Sequence, residues 1–126
     1  MTGEPALKIK IQLYCGEEIA MGPGKADLLE AIQRQRSISG AARAMGMSYR
    51  RSWLLVDVMN RCWSGPLVEA VPGGGREKGA HVTPLGLKIL GHYRSLQEQI
   101  ATAAACPDRQ ALAKAMLAEP RASRKY

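Results

Sequence analysis

The chain has 126 residues, of which 46% are hydrophobic. This is enough apolar material for one domain with its own core, so extensive disorder is excluded. Its net charge of +7 points to a polyanionic partner, either nucleic acid or an anionic membrane surface, although many basic proteins bind neither. No apolar run approaches the roughly 20 residues of a membrane span. The first five residues, Met-Thr-Gly-Glu-Pro, lack the basic region and the apolar stretch of a signal peptide. We therefore expect a cytoplasmic protein with no membrane partner.

The first quarter of the sequence predicts a strand, or a hairpin, followed by a helix. Residues 7–14 alternate between apolar and polar side chains, which is typical of a half-buried strand. A turn at 16–18 could return the chain as a second short strand over 19–21. After a Gly-Pro-Gly stop at 22–24, apolar residues at helical spacing predict a helix from 25 to about 35.

Two short helices joined by a glycine are predicted next. Ser39 is a natural N-cap for the first, and the alanine pair at 41–42 gives that helix a small apolar face. Gly46 suits a left-handed helix end. Ser48 can cap the second helix, which runs to about Trp63. Because the alanines let the two helices cross closely, this segment predicts a helix-turn-helix.

A hairpin and a long helix are predicted to follow. Strands over 67–71 and 80–83 flank a glycine-rich, charged loop at 72–79. A Thr-Pro pair then begins a helix over 84–105. Its apolar residues are spaced 3, 4, 3, 4, 3, as in a helix packed lengthwise against another helix. Pro107 ends this helix, and a short helix and a basic tail follow.

The order of these elements predicts a mostly helical α+β fold. We expect a winged helix-turn-helix with an N-terminal β-strand or hairpin and a long C-terminal dimerisation helix. Residues 1–105 would form the DNA-binding domain, including the long helix, and 106–126 a short helical extension with a basic tail. The predicted homodimer interface consists of Ile89, Tyr93, Leu96 and Ile100.

The start of the second short helix is predicted to enter the DNA major groove, which is wide enough to admit a helix. Arginine can pair bidentately with guanine, and the free N–H groups of a first helical turn suit a phosphate. The glycine-rich loop would bring its basic residues to the DNA backbone or the minor groove. The predicted DNA-binding residues are Ser39, Arg43, Ser48, Tyr49, Arg50, Arg51, Arg76 and Lys78.

One residue departs from the usual helix-turn-helix pattern. Ser52 stands where many such units have a branched apolar residue, so Trp53 and Val56 are expected to supply the packing. Trp53 and Trp63 are both predicted to lie in the core.

The three cysteines, Cys15, Cys62 and Cys106, are odd in number and far apart. Neither they nor His81 and His92 have the spacing of metal ligands. We expect reduced cysteines, no disulfide framework and no metal site.

Several local motifs together resemble a known family. They are the Ser-Ile-Ser run at 37–39 before the alanine pair, Ser-Tyr-Arg-Arg-Ser-Trp at 48–53, Met-Asn at 59–60, the glycine-rich loop, and Val-Thr-Pro-Leu-Gly at 82–86. The stretch from 25 to about 99 is similar to the N-terminal DNA-binding domain of ModE-type molybdate-responsive regulators, which are related to the LysR-type winged helix.

This resemblance implies a homodimer that binds double-stranded DNA at an inverted repeat. Ser48, Tyr49, Arg50 and Arg51 would occupy the groove. Members that sense molybdate do so through C-terminal domains, whereas only about 20 residues follow Pro107 here. We therefore expect no cofactor in this chain and no molybdate-binding domain.

The leading hypothesis is a dimeric, sequence-specific DNA-binding transcriptional regulator. The alternative is a nucleoid-type architectural protein that coats DNA without sequence preference, which the charge and the basic tail would allow. An enzyme is not expected, because no catalytic constellation is present. The Gly-Pro-Gly-Lys run at 22–25 fails as a phosphate loop, since Ala26 stands where Ser or Thr would hold magnesium.

Overall fold

The computed structural model describes residues 5–71 and 79–124. In these residues the chain has an α+β fold that is mostly helical, with five helices and two small antiparallel sheets of two strands each. This confirms the predicted α+β class with mostly helical content. The elements are β1 (Leu13–Cys15), β2 (Glu18–Met21), α1 (Pro23–Gln35), α2 (Ile38–Met45), α3 (Tyr49–Cys62), β3 (Val68–Val71), β4 (Gly79–Val82), α4 (Pro84–Ala104) and α5 (Pro107–Ala115).

The N-terminal strand is shorter than its alternating sequence predicts. Residues 5–12 lie outside regular secondary structure, and only β1 pairs with β2. Leu7 and Ile9, which were expected on a buried face, are 47% and 40% exposed. The physical reason is the length of the partner strand. A strand needs another backbone to satisfy its N–H and C=O groups, and β2 offers only four residues.

The predicted helix boundaries at the turn between α2 and α3 are correct in most details. Gly46 adopts a left-handed φ of 66° at the end of α2, and Ser48 caps α3. The N-cap of α2 is Ser37, not Ser39, because the Gly40 N–H donates to Ser37 Oγ at 2.8 Å. A capping oxygen reaches a backbone N–H two or three residues ahead, and Ser39 already lies within the first turn.

Helix α1 is the centre of the core, since it packs against α2, α3, α4 and β4. The long helix α4 reaches it through Arg94, whose guanidinium binds Asp27 at 2.7 Å and also binds Glu30. The largest fully buried side chains include Met21, Leu28, Leu29, Ile32, Met59 and Leu67.

The long helix α4 is buried only along its first half. Thr83 caps it by accepting from the Gly86 N–H at 2.9 Å, and its buried residues are Gly86, Leu90 and Tyr93. Beyond Tyr93 every residue of α4 is at least partly exposed, and α5 has no buried residue. Over the described ranges 5–71 and 79–124, none of the helices combines the length and apolar character that crossing a membrane requires.

Candidate nucleic-acid interface

Four of the predicted DNA-binding residues lie together at the start of α3. Ser48, Tyr49, Arg50 and Arg51 are all exposed. Ser48 Oγ accepts a hydrogen bond from the Arg51 N–H at 3.1 Å, so this hydroxyl is engaged in capping. The first turn therefore presents one aromatic and two guanidinium side chains to solvent, and it contains no acidic residue.

The position of these arginines is unfavourable for the helix itself. The N-terminal end of a helix carries a partial positive charge, and a cation there costs about 0.3–1 kcal/mol. The structure shows no acidic residue in the first turn of α3 that would offset Arg50 and Arg51. A nearby anion would reverse the sign of this interaction, because the free N–H groups of a first turn also attract negative charge.

Lys25, at the start of α1, is a half-buried cation that the sequence analysis did not assign to the interface. Burial lowers the pKa of Lys25, whereas the charges of Cys62 and Glu18 act in the opposite direction. The positive charge of Arg51 makes a smaller contribution to the lowering.

The two predicted DNA-binding residues of α2 differ in their exposure to solvent. Ser39 is half-buried, whereas Arg43 is exposed in the last turn. The remaining predicted contacts, Arg76 and Lys78, lie outside the residues that the structure describes.

Ser52 is accommodated in the core by a hydrogen bond rather than by apolar packing. It is fully buried, and its Oγ donates to the Ser48 carbonyl at 3.1 Å, one helical turn back. This back-bonding satisfies a buried hydroxyl without a partner from another element. The departure from the usual apolar residue therefore leaves no unpaired polar group at this position.

The prediction that Trp53 lies in the core is wrong, since 46% of its surface is exposed. The buried stripe of α3 consists of Ser52, Val56 and Met59, and Trp53 lies about 100° further round the helix than Ser52. Trp63 is half-buried, and its indole Nε1 donates to the Ala20 carbonyl at 3.2 Å.

Asn60 fixes the angle between α3 and the hairpin formed by β3 and β4. Its Oδ1 accepts from the N–H groups of Leu67 at 2.9 Å and Val68 at 3.1 Å. Its Nδ2 donates to the Val68 carbonyl at 3.0 Å. Sequence analysis noted Asn60 only within a local motif, because its partners cannot be identified without the path of the chain after α3.

The β3–β4 hairpin presents two chemically different faces. In its register Val68 pairs with Val82 and Ala70 with Ala80, so one face is small and apolar. Glu69 lies opposite His81 on the other face, with Oε2 and Nε2 3.9 Å apart. The apolar face and α3 enclose an open groove of about 620 Å³, here called the α3–hairpin groove. It is lined by residues that include Tyr49, Trp53, Val56, Val68, Ala70 and Ala80.

The predicted dimer residues on α4 do not share one environment. Tyr93 is 2% exposed, and its hydroxyl donates to the Ile11 carbonyl at 2.8 Å, so it packs within its own chain. Leu96 is exposed, and Ile89 and Ile100 are half-buried. Only these last three offer surface to a second copy.

No cluster of three or more His, Cys, Asp or Glu side chains is close enough to hold a metal ion within the described ranges. All three cysteines are free. Burial raises the pKa of the Cys62 thiol, with a further contribution from the neighbouring Cys15.

Comparison with known proteins shows clear relatives, although no family model matches the chain. The molybdenum-pterin-binding protein MopB of Rhodobacter capsulatus is 42% identical over 81 residues, which cover 64% of this chain and 30% of MopB. The molybdenum transport protein ModE of Azotobacter vinelandii is 37% identical over 84 residues, covering 67% and 31%. The DNA-binding transcriptional dual regulator ModE of Escherichia coli K12 is 31% identical over 98 residues, covering 78% and 36%.

The chain is thus similar to ModE proteins, as its motifs predicted, and also to Mop proteins, which the motifs did not predict. It spans about a third of the length of these relatives. The relatives are molybdenum-binding proteins and transcriptional regulators rather than enzymes, which confirms the prediction that the chain is not an enzyme.

Proposed function

We propose that this protein is a dimeric, sequence-specific DNA-binding regulator of the ModE type. In this proposal α2 and α3 form a helix-turn-helix, and the β3–β4 hairpin is the wing of a winged helix related to that of LysR-type proteins. Residues 1–105 form the DNA-binding domain, and residues 106–126 form an extension and a basic tail. The protein acts in the cytoplasm, where its DNA is found.

The observation that carries this proposal is the cationic first turn of α3. Arg50 and Arg51 are exposed at a helix end where positive charge destabilises the helix, so their placement is explained by an anionic partner. Tyr49 lies beside them, and Ser39 and Arg43 on α2 lie on the preceding helix. Arginines at the start of a helix can pair with guanine O6 and N7 in the major groove.

Sequence specificity is supported by the rigidity of this presentation. The opposite side of α3 is held in the core by Val56 and Met59 and tied to β3 by Asn60. A helix fixed in this way positions its first turn in one orientation, which direct contact with base edges requires and non-specific coating of DNA does not.

The homodimer is proposed on the accessible apolar residues of α4. Leu96, Ile100 and Ile89 are apolar and accessible there, and a lengthwise pairing of two α4 helices would bury them. Two copies related by a two-fold axis would place two α3 helices on an inverted repeat. Tyr93 is not part of this surface, because it is buried in its own chain.

The test compares the affinity of variants for selected and scrambled duplexes. An operator is first obtained by selection from genomic fragments, and binding is then followed by fluorescence anisotropy at several salt concentrations. Arg50→Ala should weaken operator binding by about 5- to 150-fold, the equivalent of about 1–3 kcal/mol for one bidentate contact. Binding to a scrambled duplex should weaken far less. Lys114→Ala, an exposed charge on α5, is the control that removes one positive charge elsewhere.

Equal losses on both duplexes would instead support the alternative, an architectural protein that coats DNA without sequence preference. This alternative is supported by the net charge of +7 and by the basic tail. A footprint without any protected palindrome would likewise support the architectural alternative.

The effector is tested separately. Relatives are named for molybdenum transport and molybdenum-pterin binding, whereas this proposal assigns the described residues to DNA contact and dimerisation only. We expect the profile of bound sequences to be the same with and without molybdate. A molybdate-dependent profile would show that the chain itself senses the oxyanion.

A further inference from the structure

Two of the three cysteines meet in the fold, although they are 47 positions apart in the sequence. Cys15 is the last residue of β1, and Cys62 is the last residue of α3. Their side chains are in hydrogen-bond contact. The proposed DNA contacts and the proposed dimer surface use neither of them, so this pair of thiols has a chemistry that the proposed function does not explain.

The backbone on both sides of the pair is held in place. A tight turn follows Cys15, with Gly16 at a left-handed φ of 60°, and returns the chain into β2. Helix α3 packs against β2. The residue after Cys62 is Trp63, whose indole N–H donates to the Ala20 carbonyl on β2 at 3.2 Å. The end of α3 is therefore fixed on the sheet of β1 and β2, and the two thiols meet across that contact.

The two thiols differ in their access to solvent and in their protonation. Cys15 is exposed, whereas Cys62 is half-buried. Burial raises the pKa of Cys62, and its hydrogen bond with Cys15 raises this pKa further. The form of cysteine that attacks an oxidant is the thiolate, so a half-buried thiol that keeps its proton is not the first to react. Cys15 is thus the thiol that meets an oxidant, and Cys62 is the neighbour that can complete a disulfide.

We propose that Cys15 and Cys62 form a reversible redox site, which a peroxide oxidises to a disulfide that joins the end of α3 to β1. The Cys15 thiolate attacks one oxygen of hydrogen peroxide, the O–O bond breaks and hydroxide leaves, so Cys15 becomes a sulfenic acid. The Cys62 sulfur then attacks the Cys15 sulfur, and the sulfenic hydroxyl leaves as water with the Cys62 proton. The electron pair that the sulfurs lose reduces the peroxide. A dithiol reductant restores both thiols by exchange.

This disulfide closes a loop that contains α1, α2 and most of α3. Because a cross-link over so long a loop restricts the unfolded chain, we expect oxidation to raise the midpoint of urea unfolding by about 1–2 M. The site lies at the end of α3 opposite to the cationic first turn, so the inference does not rest on the proposed function. Loss of DNA binding would leave it intact.

The first test maps the thiols of the whole chain after oxidation. The reduced protein is treated with hydrogen peroxide, its remaining thiols are blocked with N-ethylmaleimide, and unreduced peptides are identified by mass spectrometry. We expect a disulfide between Cys15 and Cys62 within one chain and a blocked thiol at Cys106, which lies at the start of α5 and is the internal control. Dithiothreitol should restore all three thiols. Equal blocking of all three cysteines after peroxide would overturn the inference.

The second test concerns the order of the steps. In Cys62→Ser the sulfenic acid of Cys15 has no partner thiol, so dimedone, which reacts with sulfenic acids, should label it. In Cys15→Ser the label on Cys62 should be at least about five-fold weaker, because this thiol is half-buried and keeps its proton. Equal labelling of the two variants would overturn the assignment of Cys15 as the reacting thiol.

The third test measures urea unfolding before and after oxidation. The wild type and Cys106→Ser both retain the pair and should show the same rise in midpoint. Cys15→Ser and Cys62→Ser cannot form the disulfide and should show no rise. A complete disulfide in the wild type without any rise in midpoint would show that the bond does not hold α3 to β1, and the proposed role of the site would then be wrong.

Discussion

The strongest stability prediction concerns Asn60→Ala, because this side chain makes three hydrogen bonds between α3 and β3. Its partners are the backbone groups of Leu67, which is fully buried, and Val68, which is 4% exposed. Water therefore cannot readily replace the lost bonds. At about 1 kcal/mol for each hydrogen bond, the variant should lose about 3 kcal/mol of unfolding free energy. This is a large share of the 5–15 kcal/mol that is typical of native domains.

The assay is urea unfolding followed by circular dichroism. With an m-value of about 1.5 kcal/mol/M, the midpoint should fall by about 2 M urea. Gln33→Ala, an exposed amide on α1, is the control and should shift the midpoint very little. Asn60→Asp keeps both acceptor bonds but loses the donor, so it should lie between Asn60→Ala and the wild type. A loss below about 0.5 kcal/mol in Asn60→Ala would refute the view that this residue holds the hairpin to α3.

Two further predictions concern α4. A Cβ at Gly86 would clash with the Leu67 carbonyl oxygen, so Gly86→Ala should cost about 3 kcal/mol of unfolding free energy. Gly91 lies in open space on the same helix, so Gly91→Ala should stabilise the protein by about 0.5–1 kcal/mol in the same urea assay. Burial raises the pKa of Tyr93 above its usual value of 10.0. The unfolded chain therefore releases this proton at lower pH than the folded chain, and stability declines as the pH rises through that window. Tyr93→Phe loses the bond to Ile11 and should cost about 1 kcal/mol near pH 8, but it should show a shallower decline above about pH 10 in urea titrations. An alkaline decline identical to that of the wild type would contradict the role of Tyr93.

The parts of the fold that sequence predicts well are those that local chemistry determines. A left-handed glycine at 46, a capping serine at 48 and a Thr-Pro pair at 83–84 each act on the backbone within a few positions, and the structure has all three. The prediction of a strand over residues 7–12 was wrong, because alternation describes a side-chain pattern and does not show whether a partner strand is available. The prediction that Trp53 is buried was wrong for a related reason, since residue type predicts burial only on average.

In the candidate site, too, the sequence predicted only the features that local chemistry determines. The exposed first turn of α3 follows from its position after a capping serine. Its link to β3 through Asn60 and the α3–hairpin groove beside it depend on contacts between elements. These contacts need the relative placement of α1, α3 and the hairpin, which local patterns do not contain.

The structure also separates the stability of α3 from its proposed function. The far end of α3 is fixed by Asn60 and by the Trp63 bond to Ala20, whereas its first turn is held by its own cap. Arg50 is exposed and opposes the helix dipole. Arg50→Ala should therefore leave the unfolding free energy unchanged or raise it by about 0.3–1 kcal/mol, while operator affinity falls. Urea unfolding and anisotropy on the same preparation measure both quantities. A variant that loses stability and affinity together would show that Arg50 supports the fold, and its exposure at the start of α3 would then need no anionic partner to explain it.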